Sequence, residues 1–344
     1  MIKQALKSCG GMVAVMLALT APSAAQEIKL SLTHQNAPTS WYISRGINPW
    51  IQKVEQATKG RVKIQLYPSQ TLVKGADSWK GVKSGVTDIA WCFHGYWPEM
   101  TPNADVLTLP FLPYPSAEKG GEVAWKLYEK FPVLQKELAD VKVLMVWVSS
   151  PYFLMTSRKL VKTLDDLKGM KIRVTGGPPT EQIKALGGVP MLIPQPDNYD
   201  ALDKGVIDGL ATNWEAVHAF RFHEVAPNYT IVPLSAVYFT LVMNKSKWNG
   251  LPKDVQDAIM SVSGLKGSME MGKGTYDSAE QGVMEMIKSG KYAYNRYDLP
   301  PEELARWRKV GGEPIWDDWV KKMETKGNKQ ARELLNATLE LLKN

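Results

Sequence analysis

The chain has 344 residues, 44% apolar and 22% charged, with 27 glycines and 22 prolines. That composition excludes disordered and fibrous proteins and leaves a folded chain of about two domains. The formal net charge is +7, but basic residues alternate with acids along the chain. The clustered phosphate-neutralising stripe of a nucleic-acid binder is absent, so no nucleic-acid partner is expected.

Residues 1–25 differ in kind from the rest. Lys3 and Lys7 precede the apolar run from Met12 to Leu19, and Ser23, Ala24 and Ala25 supply the small residues of a signal-peptidase site. The expectation is a cleaved leader and a protein working in the periplasm. Cleavage after Ala25 removes Cys9 and leaves Cys92 alone, so no internal disulfide is possible, and Cys92 reads as a small buried hydrophobe in an apolar strand. No later segment reaches about 18 uncharged apolar residues, the length needed to span a bilayer.

From residue 28 onward strand-like and helix-like pieces alternate, which argues for an α/β fold with largely parallel strands. Ile28, Leu30 and Leu32 alternate with polar residues as in a strand. Ile43, Ile47, Ile51 and Val54 keep helical spacing up to Gly60, and Val62, Ile64 and Leu66 alternate again before Pro68. Asp88 to Phe93 and Val141 to Val148 are near-continuous apolar runs, as expected of strands covered on both faces. Thr163 with Asp166 forms a capping-box pattern for one helical turn, and Lys171 to Val174 follows as a strand. Lys253 to Ser289 contains no proline and reads as one long helix, weakened at Gly264, Gly267, Gly272 and Gly274. Pro300 and Pro301 open a last helical region whose Trp307, Trp316 and Trp319 read as packing residues.

One internal repetition points to two similar halves. Asp77 to Asp88 aligns without gaps on Asp197 to Asp208, with Asp77/Asp197, Gly85/Gly205, Val86/Val206 and Asp88/Asp208 identical. Each copy reads as a helix capped by Asp, stopped by Gly and delivered into a buried strand.

Catalytic signatures are missing: there is no Gly-x-Ser-x-Gly elbow, no phosphate loop, no His-Glu-x-x-His and no dinucleotide fingerprint after a strand. The four histidines, His34, His94, His218 and His223, have no metal-ligand spacing. The chain reads as a binder, not an enzyme, with no cofactor.

Six motifs in order carry a resemblance that spans the chain beyond the leader. They are Gly60-Arg-Val-Lys-Ile-Gln-Leu-Tyr-Pro68, Gly85-Val-Thr-Asp88, Leu109-Pro-Phe-Leu112, Thr163-Leu-Asp-Asp-Leu-Lys-Gly-Met-Lys-Ile-Arg-Val174, Tyr199-Asp-Ala-Leu-Asp-Lys-Gly-Val-Ile-Asp-Gly209, and Met243-Asn-Lys with Trp248-Asn-Gly-Leu-Pro252. The chain resembles the solute-binding proteins of tripartite ATP-independent periplasmic (TRAP) transporters, of the dicarboxylate-binding type. That resemblance implies a two-lobed periplasmic-binding-protein fold with a hinge of crossing strands. Residues 26–149 with about 238–252 would form one lobe and 150–237 the other. A long helix over 253–290 would span both, and 291–344 would be C-terminal helices packed on the lobes. The implied function is capture of a small organic acid by hinge closure and its delivery to the membrane permease, the protein acting as a monomer. The alternatives are a ligand-presenting sensor of the same fold and, from another class, an exported hydrolase.

The resemblance places Arg173 at the family's carboxylate-pairing arginine. Its planar fork at the end of a buried strand matches a carboxylate with two parallel hydrogen bonds, against the alternative of an ion pair with an acid such as Asp165. Thr212 falls where many relatives carry a ligand-contacting Asn, with Asn213 adjacent. Relatives that bind larger acidic sugars have a second arginine where this chain has Tyr152. A carboxylate of those relatives becomes Phe93, next to His94, and a polar position on the returning strand becomes Tyr238, followed by Phe239. Trp214, Trp91 and His34 complete the candidate set. Charge has been exchanged for aromatic surface around one anion clamp, so the expected ligand is an apolar or aromatic monocarboxylate or 2-oxo acid.

Overall fold

The computed structural model describes residues 27–343; the expected leader lies outside the described residues. The strands are β1 (Ile28–Thr33), β2 (Val62–Tyr67), β3 (Ile89–Phe93), β4 (Val141–Val148), β5 (Phe153–Thr156), β6 (Lys171–Val174), β7 (Val189–Leu192), β8 (Gly209–Thr212), β9 (Asn228–Ile231), β10 (Tyr238–Asn244) and β11 (Asn295–Asp298). They form two sheets, β2-β1-β3-β10-β4 and β11-β9-β5-β8-β6-β7.

Reversed, the second sheet reads β7-β6-β8-β5-β9, the same plan as the first. In each, a parallel trio is followed by one antiparallel strand, β10 or β5, that arrives from the other lobe. The sequence repeat sits at equivalent places in the two plans. Helix Ser78–Ser84 and helix Asn198–Asp203 each lead through a left-handed glycine, Gly85 (φ 79°) or Gly205 (φ 70°), into β3 or β8. A side chain at either φ would be strained, which is why glycine stops both helices.

Residues 149–152 and 232–237 carry the chain between the lobes, and they pair with each other. Ser149 N–H donates to Val237 O at 2.9 Å, Tyr152 N–H to Ser235 O at 2.8 Å, and Leu234 N–H to Tyr152 O at 2.8 Å. Leu234, Val237 and Phe239 join one continuous apolar cluster that also holds Leu32, Trp91 and Trp147 of the first sheet with Leu154, Ile172 and Val174 of the second. Each fully buried Leu or Ile there contributes about 1.5–3 kcal/mol relative to exposure.

Two expectations for the C-terminal third are corrected. Residues 253–290 are three helical pieces, not one helix: Lys253–Ser261, then Gly264–Gly272 running through a wide turn at Lys273–Asp277, then Ala279–Gly290. Gly264 takes φ 58° and breaks the first junction. Gly272 serves a close approach: a Cβ there would lie 2.1 Å from Ala117 O on helix Ala117–Lys130. Residues 291–344 are not all helical, because Asn295–Asp298 adds a parallel edge strand beside β9. That strand is mostly exposed and polar, so it carries no hydrophobic alternation to read.

Candidate binding site

The polar and aromatic side chains of the site come from the carboxyl ends of strands, where open α/β sheets expose their crevices. β1 delivers His34, Gln35 and Asn36; β3 delivers Trp91, Phe93 and Tyr96; β6 carries Arg173; β7 leads to Gln195; β8 ends at Thr212 and Asn213. Between the lobes lies a cleft walled by Trp91, Phe93, Phe239, Tyr42 and Tyr276 on one side. Tyr152, Gln195, Asn213, Glu215 and Phe220 wall the other, with Gln35 and Asn36 at the edge. Its free volume is about 20 Å³, room for about one water, so a larger molecule enters only when the lobes part.

One wall is aromatic. Phe93 and Phe239 stack with centroids 5.1 Å apart and planes 26° apart, and Trp91 lies 5.1 Å from Phe239. Tyr42 meets Trp91 edge-on at 5.2 Å. Its hydroxyl accepts from Trp147 Nε1 at 3.1 Å and hydrogen-bonds the Tyr276 hydroxyl. Such a surface favours a flat apolar body stacked or edge-on against it.

Arg173 is fully buried, with Nε–H donating to Ile193 O at 3.0 Å and one terminal nitrogen, Nη1, without a partner. Burial lowers its guanidinium below the ordinary value, and the charged or ionisable groups acting on it are the Tyr152 and Tyr96 phenols, with no carboxylate. Arginine stays cationic even so. Asp165 pairs with Lys168 at 2.7 Å and Arg306 at 3.3 Å on the surface instead. Arg173 stands beside Tyr152, adjoining the cleft wall, and a buried cation lacking a counter-ion is matched by an anion.

Several neutral groups lie in the cleft wall or next to its residues. Thr212 Oγ1 is buried without a partner; Asn213 caps helix Trp214–Ala219, its Oδ1 accepting from Ala216 N–H at 2.9 Å, and lines the cleft. His34 Nδ1 accepts from Asn36 N–H at 3.0 Å, and burial pushes the imidazole down to about 3, so it is neutral with its proton on the unpartnered Nε2. Asn36 Oδ1 and Trp91 Nε1, both in residues of the wall, are also unpartnered.

Three candidates lie elsewhere. His94 and Tyr238 are on the opposite face of the first sheet, where their rings stack at 4.3 Å and His94 Nε2 bonds Thr240 Oγ1 at 2.9 Å. Strand alternation sends Tyr238 away when Phe239 faces the cleft. Trp214 packs on Phe153 and Tyr229, with centroids at 4.4 and 5.6 Å, inside the second lobe. The sequence reading missed Gln35, Asn36, Tyr42, Tyr96, Gln195, Glu215, Phe220 and Tyr276. Most sit on loops and short turns without periodicity; Glu215, an acid in the first turn after an Asn cap, offered the best signal.

Residues 33–322 match the model of the bacterial extracellular solute-binding proteins, family 7, named DctP. The chain belongs to that family. It is similar to the outer membrane transporter protein TsaT of Comamonas testosteroni, with 28% identity over 322 residues, 91% of this chain and 92% of the relative. A TRAP solute-binding protein from Rhodoferax ferrireducens, solved with copurified benzoate, superposes with a TM-score of 0.86 at 28% identity, covering 92% of this chain and 98% of its own. A marine metagenome TRAP solute-binding protein specific for aromatic acid ligands, solved with metahydroxyphenylacetate, gives the same TM-score and identity over 92% and 99%. As a TRAP family 7 solute-binding protein, the chain is a transport component and not an enzyme: it binds a small organic acid between its lobes and delivers it to a membrane permease.

Proposed function

We propose that the ligand is a monocarboxylate with an aromatic or apolar body, held by Arg173 at its carboxylate and by the Trp91, Phe93 and Phe239 wall at its body. Thr212 and Asn213 supply neutral polar contacts, and Tyr152 packs against the body. Lobe closure expels water and desolvates the ion pair. The observation that carries this reading is the buried Arg173, with no carboxylate partner among the described residues, beside Tyr152 of the cleft wall. A second ligand carboxylate against Tyr152 and Phe93 would lie buried without a charge partner, at a cost of several kcal/mol. A ring in the same space gains roughly 25 cal/mol per Å² buried. The benzoate and metahydroxyphenylacetate complexes of the two relatives support the same class.

We further propose that the protein works in the periplasm as a monomer after cleavage following Ala25. Amino-terminal sequencing and sedimentation of the exported protein test this.

The deciding experiment for the ligand is calorimetry on the purified protein with benzoate, phenylacetate, mandelate and branched 2-oxo acids against succinate, malate and galacturonate. Mass spectrometry of anything released on denaturation accompanies it. Binding of the monocarboxylates is the expected result, and tight binding of a dicarboxylate with none of them overturns it.

A further inference from the structure

Glu215 is the one carboxyl in the wall of the cleft, 3% exposed, on the first turn of helix Trp214–Ala219. Its Oε1 is shut off from solvent and has no partner among the described residues. The backbone N–H of Tyr42, across the cleft, acts on the carboxyl and favours its charged form, against the larger effect of burial. Beyond it, the ionisable groups that sense Glu215 are the phenols of Tyr42, Tyr276 and Tyr152, and no cation acts on it. Burial pushes the carboxyl up to about 8, so at neutral pH it is a carboxylic acid able both to accept and to donate.

Tyr152 feels Arg173 and Glu215 alike, whereas neither of those two acts on the other. Tyr152 thus lies near both of them. Arg173 is a cation matched to an anion; Glu215 is neutral, buried and short of a hydrogen bond.

We propose that Glu215 is a second, uncharged anchor that selects acids carrying a hydroxyl on the part of the body remote from the carboxylate. This rests on the reading that Arg173 holds the carboxylate. A hydroxyl fits the free oxygen as donor and the acid proton as acceptor. A second carboxylate would bring a charge to a place with no cation. A bare ring would leave Oε1 unpaired, and sites built to hydrogen-bond a hydroxyl discriminate strongly against analogues lacking it.

Calorimetry on the purified mature protein compares benzoate with 3-hydroxybenzoate, 4-hydroxybenzoate and 3-methylbenzoate, and phenylacetate with its 3- and 4-hydroxy derivatives. At least one hydroxy acid should bind about tenfold or more tighter than both its parent and the methyl analogue. Glu215→Leu should erase that preference, while Glu215→Gln, which keeps the hydrogen bond, should retain most of it. Equal binding of hydroxylated and parent acids by the wild type, or a preference that survives in Glu215→Leu, overturns the assignment while leaving the monocarboxylate reading intact. If none of these acids binds the wild type, this proposal falls, and the wider monocarboxylate panel decides the reading it rests on. Should the leucine variant fail to fold, the hydroxyl-against-methyl comparison in the wild type decides alone.

Discussion

Tyr96 and Gln195 tie the two lobes together through a single hydroxyl. The Gln195 backbone N–H donates to Tyr96 Oη at 3.2 Å, and the same hydroxyl donates to Gln35 Oε1 at 2.6 Å. Tyr96 follows β3 in one lobe and Gln195 follows β7 in the other, so the contact exists only when the lobes are together. Tyr96→Phe removes both bonds, which costs about 1 kcal/mol or roughly a fivefold shift toward the open form. Affinity should fall by a similar factor. Solution scattering and calorimetry check this; an unchanged radius of gyration together with unchanged affinity would remove the tie from the closing mechanism.

Gly95 sits at a tight contact between the lobes. Gly176 N–H donates to its carbonyl at 3.1 Å, and a Cβ on Gly95 would lie 2.7 Å from the Phe93 ring and 2.9 Å from Thr175 Cβ. Gly95→Ala should act as a wedge, weakening ligand binding by about 1–3 kcal/mol, the usual cost of overpacking. The variant should scatter as a larger particle than the wild type at saturating ligand, with an unchanged circular dichroism spectrum. Full compaction on ligand addition would contradict the wedge.

Replacing Arg173 by Ala should cost about 2–5 kcal/mol of binding, since the ligand carboxylate is then buried unpaired. Lysine should rescue only part of this, because it keeps the charge and loses the fork. Titration calorimetry giving wild-type affinity in Arg173→Ala would refute the clamp.

Stability should fall on both sides of mildly acidic pH for separate reasons. Burial pushes His34 and His94 from 6.5 down to about 3. The unfolded chain therefore takes up protons first, and stability is lost as pH falls from 6.5 toward 3. Glu215 is pushed the other way, from 4.5 up to about 8. The folded protein keeps a proton that the unfolded chain releases, so this contribution is lost as pH rises from 4.5 toward 8, at up to about 1.4 kcal/mol per pH unit. Thermal melts of Glu215→Gln should lack this loss between pH 4.5 and 8 and match the wild-type slope below pH 4.5. Parallel curves would show that Glu215 ionises freely in the folded protein.

Much of the frame was legible because alternation, the Thr163 capping box and glycine stops are local signals, although neither Asp77 nor Asp197 makes the side-chain cap bond expected of it. The repeat ending at Asp88 and Asp208 marks equivalent turns: Asp88 Oδ2 accepts from Ser31 N–H and Asp208 Oδ2 from Lys171 N–H, each at 2.8 Å. The same local logic could have separated Tyr238 from Phe239, because neighbours in a strand face opposite ways. Tyr42 and Tyr276 were not legible. They are brought to one place by lobe closure and by a helix junction at 273–277, relationships spread over more than 200 residues with no period to betray them. The strand at 295–298 escaped for a related reason, since it is defined by its partner β9 and not by its own composition.

Tyr152 has its backbone in one crossing segment and its ring in the cleft wall. A ligand packed on the Tyr152 ring would therefore touch the crossing segment directly. A permease that bends the paired crossings at 149–152 and 232–237 would drag the Tyr152 ring out of the wall in the same stroke. The act that opens the lobes would then also be the act that loosens the cargo, so unloading would need no second trigger.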